Sequence, residues 1–194
     1  KRGNESLFTC FAASEELRYP NVYNSRRYNY NLINKFVVKR DIDGLSNLIN
    51  DSLLANKKNI NKFRIHESGD FYNPLYLEAW LNVAKFNKDI KFYCYSKSLN
   101  FFLETLLPNN FYLTASYGGR YDYLINEGYF TRYSKVVFSI EEAKQLGLEI
   151  DVDDSLCFQD KPFALLLHGL QEKNTASSEA LKLIKRNKKQ LLEV

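Results

Sequence analysis

The stretch 62–97, KFRIHESGDFYNPLYLEAWLNVAKFNKDIKFYCYSK, decides the fold. Its start, KFRIH, reads as a short strand fed by a polar linker, KNIN. Asn73 is a good helix cap and Pro74 a good first helical residue. Leu77, Trp80, Leu81 and Ala84 then follow at the i, i+3, i+4, i+7 spacing of a helix with one apolar face. IKFYCYS closes the unit as a second strand. A strand, a helix and a strand in this order predict a right-handed crossover between parallel neighbours. Trp80, central in the apolar stripe, is expected to be buried against the sheet.

The alternation continues in both directions. Downstream, LNFFLETLL reads as a helix stopped by Pro108, NFYLTAS as a strand, and YDYLINEG as a short helix ended by Gly128. KVVFS is a further strand, IEEAKQLG a helix ended by Gly147, and KPFALLLHG a fifth strand before a terminal helix from about Thr175. Upstream, Pro20 opens a helix running to about Phe36. A second helix fits DIDGLSNLINDSLLAN, with Leu45, Leu48, Ile49 and Leu53 at helical spacing. The expected fold class is α/β: a mostly parallel sheet of about five strands, near 63–67, 91–96, 111–116, 134–138 and 163–168, open or closed into a partial barrel. One domain of 194 residues is expected, with a helical N-terminal segment at 1–60 and a β/α core at 61–194.

Composition narrows the class further. A 45% hydrophobic content is enough to bury a core. No run of about 18 apolar residues exists, and the start KRGNESLFTCFAAS lacks the apolar core of an export signal, so no membrane partner is expected and a cytoplasmic location is. Cys10, Cys94 and Cys157 are few, odd in number and widely spaced, which predicts reduced thiols. The chain contains no Met, which predicts that residue 1 is not the natural start. A net charge of +4 is a slight excess that excludes no class of partner and leaves oligomeric state open. Basic residues cluster in NSRRYNYNLINKFVVKR and LKLIKRNKKQ. Tyr19, Tyr23, Tyr28 and Tyr30 interleave with Arg18, Arg26 and Arg27, the composition of a surface that stacks bases and contacts phosphate. The plain reading of both clusters is a solvated helix face.

In parallel α/β folds, ligands bind outside the carboxyl ends of the strands. Polar residues collect at those ends here: His66, Glu67, Ser68, Gly69 and Asp70 after the first strand, and Ser96 and Lys97 after the second. Ser116, Tyr117, Gly118, Gly119 and Arg120 follow the third, His168 and Gly169 the fifth. Strand alternation puts Arg64 and His66 on one face and Phe63, Ile65 and Glu67 on the other, so His66 and Glu67 can share a site only if the chain twists at the strand end. The candidate catalytic set is His66 as proton shuttle, Asp70 as base or anchor, and Lys97 as anion contact. Ser68, Gly69, Ser116, Gly118, Gly119, Arg120 and His168 are the candidate substrate contacts. Against this stand structural roles for each group: a hydrogen-bonded core histidine, a helix-capping Asp70, a solvated Lys97. SYGGR offers backbone N–H groups and an Arg suited to an anion, without the spacing of a P-loop.

The segments CFAASEELRYPNVYNSRRYN, RIHESGDFYNPLYLEAWLNVAK, KFYCYSKS, ASYGG and FALLLHGLQ, in that order, resemble the phage and plasmid proteins of the gene product eighty-eight family. The resemblance covers most of the chain and is most specific at the SGD loop after a strand and the HG after a later apolar strand. It implies that His66, Ser68, Gly69, Asp70, Lys97 and His168 occupy the family's characteristic polar positions. It also implies an N-terminal cysteine cluster ending in Cys-aromatic-Ala, which Cys10-Phe11-Ala12 matches, while Ser6 stands where another cysteine is expected. That layout, cysteines first and a Gly-acid loop later, is similar to radical S-adenosylmethionine enzymes. A thiolate-held iron–sulfur cluster needs three or four cysteines. None is therefore expected in this chain as given, and Cys10 would be a metal ligand only with further cysteines upstream. Two functions are expected: an enzyme acting on a nucleotide or other small anionic ligand at the strand ends, or a nucleic-acid-binding accessory protein. A concave strand-end pocket lined by His66 and Asp70 separates the first from a convex basic stripe.

Overall fold

The computed structural model describes residues 8–55 and 60–191. Three helices come first: α1 (Phe11–Arg18), α2 (Pro20–Lys39) and α3 (Ile42–Ala55). The sheet then alternates with helices as β1 (Lys62–Arg64), α4 (Pro74–Phe86), β2 (Lys91–Ser96), β3 (Phe111–Ser116), α5 (Asp122–Asn126), β4 (Tyr133–Val137), α6 (Ile140–Gln145), β5 (Glu149–Asp151), β6 (Phe163–Leu166) and α7 (Ala176–Leu191). All six strands are parallel, in the order β1-β2-β3-β4-β6-β5, and form an open half-barrel.

The strand–helix–strand unit forms as the sequence requires. Asn73 accepts the Leu75 N–H at 2.8 Å, and Pro74 starts α4. Leu77, Trp80, Leu81 and Ala84 are buried, and the Trp80 ring lies 5.7 Å from Phe63 and 6.4 Å from Phe92. Period-two alternation in β2 turns Phe92, Cys94 and Ser96 toward the helices, where all three are fully buried. Leu45, Ile49 and Leu53 of α3 join α4 in that same core. Lys91, Tyr93 and Tyr95 face the other, inner side.

The sheet has one more strand than expected. β5 is only three residues long, too short to leave a periodic signature, and it forms the edge beyond β6. The chain must therefore step back from β5 to β6, and a right-handed return after outward crossovers on the helix face has to cross the inner face. It does so: Phe158 packs on Tyr93 at 5.3 Å and on Tyr112 at 5.0 Å. Asp154, at φ 62°, accepts hydrogen bonds from Tyr93, Tyr95 and Arg64.

The helix expected over LNFFLETLL is a single 3-10 turn, Leu99–Phe101. Ser98, the residue placed to cap it, instead donates its hydroxyl to the Phe71 carbonyl at 2.6 Å. Leu99 and Phe102 serve different apolar clusters, and Pro108 removes the backbone donor that a longer helix would need. The first strand is also shorter than expected and ends at Arg64. Part of the expected linker lies outside the described residues, as does Ser6.

Candidate functional site

β1 ends where Arg64 folds back and its Nε donates to the His66 carbonyl at 3.0 Å. The chain twists there, so Phe63, Ile65, His66 and Glu67 all line one cleft despite their alternation in a regular strand. The cleft holds about 930 Å3, within the usual size of small-molecule sites. α2 and α3 form one wall. The strand end, the 66–70 loop and the first turns of α4 form the other.

His66 is the most perturbed group in this wall. Its ring meets Phe71 edge-on at 4.6 Å, and its Nε2 lies 3.2 Å from the Tyr76 hydroxyl. Nδ1 is buried and has no hydrogen-bond partner among the described residues. Burial lowers its pKa to about 4, with Asp70 acting to raise it and Arg64 to lower it. The imidazole is therefore neutral near pH 7. Which nitrogen carries the proton follows from whether Tyr76 donates or accepts.

Asp70 faces the same cleft, but both of its oxygens are used. One accepts from the Phe71 N–H and the Ser96 hydroxyl, each at 2.7 Å. The other accepts from the Lys97 N–H at 2.7 Å and the Ser98 N–H at 3.2 Å. This carboxylate fastens the first strand-end loop to the second. Gly69 sits at φ +90° with nothing within 4 Å of an added Cβ, so conformation rather than space favours glycine there.

The remaining strand-end residues lie outside the cleft. Lys97 donates its ammonium to the Ser116 hydroxyl at 2.9 Å and also to the carbonyls of Ser116 and Tyr117. Burial lowers its pKa, opposed by Asp122, Asp70 and Cys10. At Gly119 an added Cβ would come within 2.8 Å of the Lys97 side chain. The Gly118 and Gly119 N–H groups, suited by sequence to an anion, donate to the Asp122 carboxylate at 2.9 Å each. Arg120 is exposed. His168 is exposed too, its ring 5.1 Å from Phe11. Cys10 is exposed, and among the described residues no three His, Cys, Asp or Glu side chains converge as metal ligands would.

Residues 6–187 match the family model described as Gene product 88. The chain belongs to the gene product 88 family. Two curated phage relatives share parts of it. The Gene 88 protein of Mycobacterium phage D29 is 30% identical over 90 residues, 45% of this chain and 38% of that protein. The Gene 88 protein of Mycobacterium phage L5 is 46% identical over 35 residues, 18% of this chain and 15% of that protein. The chain thus matches less than half of either relative. No solved structure matches it. Among the described residues of this gene product 88 chain, no helix is long and apolar enough to cross a membrane.

Folding brings to the gene product 88 cleft residues that the strand-end rule did not reach. Tyr72, in the loop just before α4, and Tyr76, in its first turn, place their rings 5.5 Å apart, and Tyr30 of α2 lies 5.3 Å from Tyr72. The sequence signal for Tyr72 and Tyr76 is only their place on either side of the Asn73 cap. Arg26 ties three segments together at the rim. It donates to the Ala12 carbonyl at 2.9 Å and pairs with Glu15 at 2.9 Å, Glu67 at 3.1 Å and Glu16 at 3.4 Å. Arg27 lies over the Tyr23 and Tyr30 rings at 5.6 and 5.9 Å and has no ion pair with a described carboxylate.

Proposed function

We propose that this protein binds a small anionic molecule, a nucleotide or another organic anion, in the cleft at the carboxyl end of β1, and that His66 exchanges a proton with it. One observation carries the reading: His66, Ser68, Gly69 and Asp70 share a concave site with Arg27, a guanidinium that forms no ion pair with a described carboxylate. A neutral imidazole is a hydrogen-bond partner as it stands, and an anion bound beside it would raise its pKa toward the catalytic range. Asp70 and Lys97 act here as positioning residues, because their polar atoms are already engaged with backbone and hydroxyl groups. The nucleic-acid reading draws less support from α2. Of its interleaved cations, Arg26 is already paired with three carboxylates.

The test uses Trp80, the only tryptophan in the chain, which lines the cleft. Titration with nucleoside monophosphates, sugar phosphates and alkyl phosphates should give a saturable fluorescence change with at least one class. Arg27→Gln should weaken it, and the His66 pKa should rise in the complex. No saturable response to any of these anions from the folded protein would refute the reading.

A further inference from the structure

The cleft differs in chemistry from end to end. Its charged groups come from α1, the first half of α2 and the 66–70 loop: Glu16, Arg26, Arg27, Glu67 and Asp70, with His66 beside them. The opposite end is aliphatic and aromatic. Ile33, Leu48, Ile60 and Phe63 are only partly buried there, over a floor that includes Leu53 and Trp80. Four half-covered apolar side chains around one cavity leave hydrophobic surface in contact with solvent, which an apolar ligand segment would remove from water. From Arg27 to Ile33 the helix advances about 9 Å at 1.5 Å per residue, and both residues line the cleft.

The carboxylates at the polar end already have partners. Glu16 and Glu67 are paired with Arg26, and the Asp70 oxygens accept from Phe71, Ser96, Lys97 and Ser98. Arg27 is the cation at this end with no carboxylate within ion-pair distance among the described residues, and it is held between two tyrosine rings. Resting on the binding site proposed above, we propose that its ligand is an amphipathic anion: a phosphate or carboxylate head at Arg27 and His66, with an unbranched or ring-bearing hydrocarbon tail lying along Ile33, Leu48 and Phe63. A nucleotide would put a polar base against this aliphatic end and leave its hydrophobic surface poorly covered.

A homologous series of alkyl phosphates, from ethyl to decyl and kept below micelle-forming concentrations, tests the proposal by Trp80 fluorescence and calorimetry. Affinity should rise about three- to fourfold for each added methylene until the apolar end is filled, then level off. Alkyl alcohols and alkylammonium ions of equal length should bind more weakly than the phosphates. Arg27→Gln, at an exposed position, should weaken every phosphate by a similar factor and leave the per-methylene gain unchanged. Leu48→Asn should remove that gain while ethyl phosphate binding persists. Ethyl phosphate or adenosine monophosphate binding as tightly as octyl phosphate would overturn the tail and leave the anion site standing. Tighter binding of the alkylammonium series would overturn the anionic head. Silence from every anion would overturn both readings, and the parent titrations alone decide this if Leu48→Asn fails to fold.

Discussion

Acidification should destabilise the fold measurably through His66. Its pKa is about 4 in the folded protein, against an ordinary value of 6.5, because burial disfavours the charged ring. Between those two values the unfolded chain binds the proton and the folded one does not. Stability is therefore complete above about pH 6.5, falls as the pH drops toward about 4, and changes no further through this group below that. The separation of about 2.5 units, at about 1.4 kcal/mol each, amounts to roughly 3 kcal/mol. Carboxylates titrate in the lower part of the same window, so the comparison that isolates His66 is the parent protein against His66→Gln, which cannot titrate. Urea unfolding followed by Trp80 fluorescence should show the parent losing roughly 3 kcal/mol more than the variant across the window. The chain has only two histidines, so proton NMR resolves both titrations directly. A His66 resonance titrating at or above 6.5, or identical pH slopes for parent and variant, would refute the reasoning.

Other outcomes follow from single contacts. Asp70→Asn keeps one acceptor oxygen but loses the charge and the second oxygen that holds Lys97 and Ser98, and should cost about 1–3 kcal/mol in urea unfolding. An unchanged midpoint would show that the two strand-end loops do not depend on this carboxylate. Trp80→Ala removes a buried ring packed on Phe63 and Phe92 and should cost roughly 3–5 kcal/mol, read by calorimetry or circular dichroism. A variant that melts with the parent would contradict the packing of α4. Asn73→Ala deletes the cap on the Leu75 N–H and should cost about 1 kcal/mol, while Asn73→Asp should be nearly neutral.

Much of the architecture was legible because its signals are local. The cap at Asn73, the Pro at 74 and the apolar spacing through Ala84 each act within one or two turns, and they appear in the structure as read. Parallel pairing followed from the helices between strands. β5 was not legible, since three residues carry no period and its place at the edge depends on pairing with β6. The lost helix at Leu99 was equally hidden: Ser98 had two uses for its hydroxyl, and contact with Phe71, 27 residues away, decided between them.

The candidate site divides along the same line. Sequence alone determined that polar residues would gather at the carboxyl ends of the strands, because the order of strands and helices fixes which end each loop leaves from. It placed His66 and Asp70 beside one another for that reason. Only the tertiary structure decided that His66 would be neutral, that Asp70, Lys97, Gly118 and Gly119 would bond to groups of the chain itself, and that Arg27, Tyr30 and Tyr72 would complete the cleft. Burial and hydrogen-bond competition are set by whatever packs against a side chain. For His66 those neighbours are Phe71 and Tyr76, and for Lys97 they are Ser116 and Tyr117, about 20 residues along the chain. Arg27 and Tyr30 reach the cleft from α2, more than 30 residues before His66, and no local pattern encodes that docking.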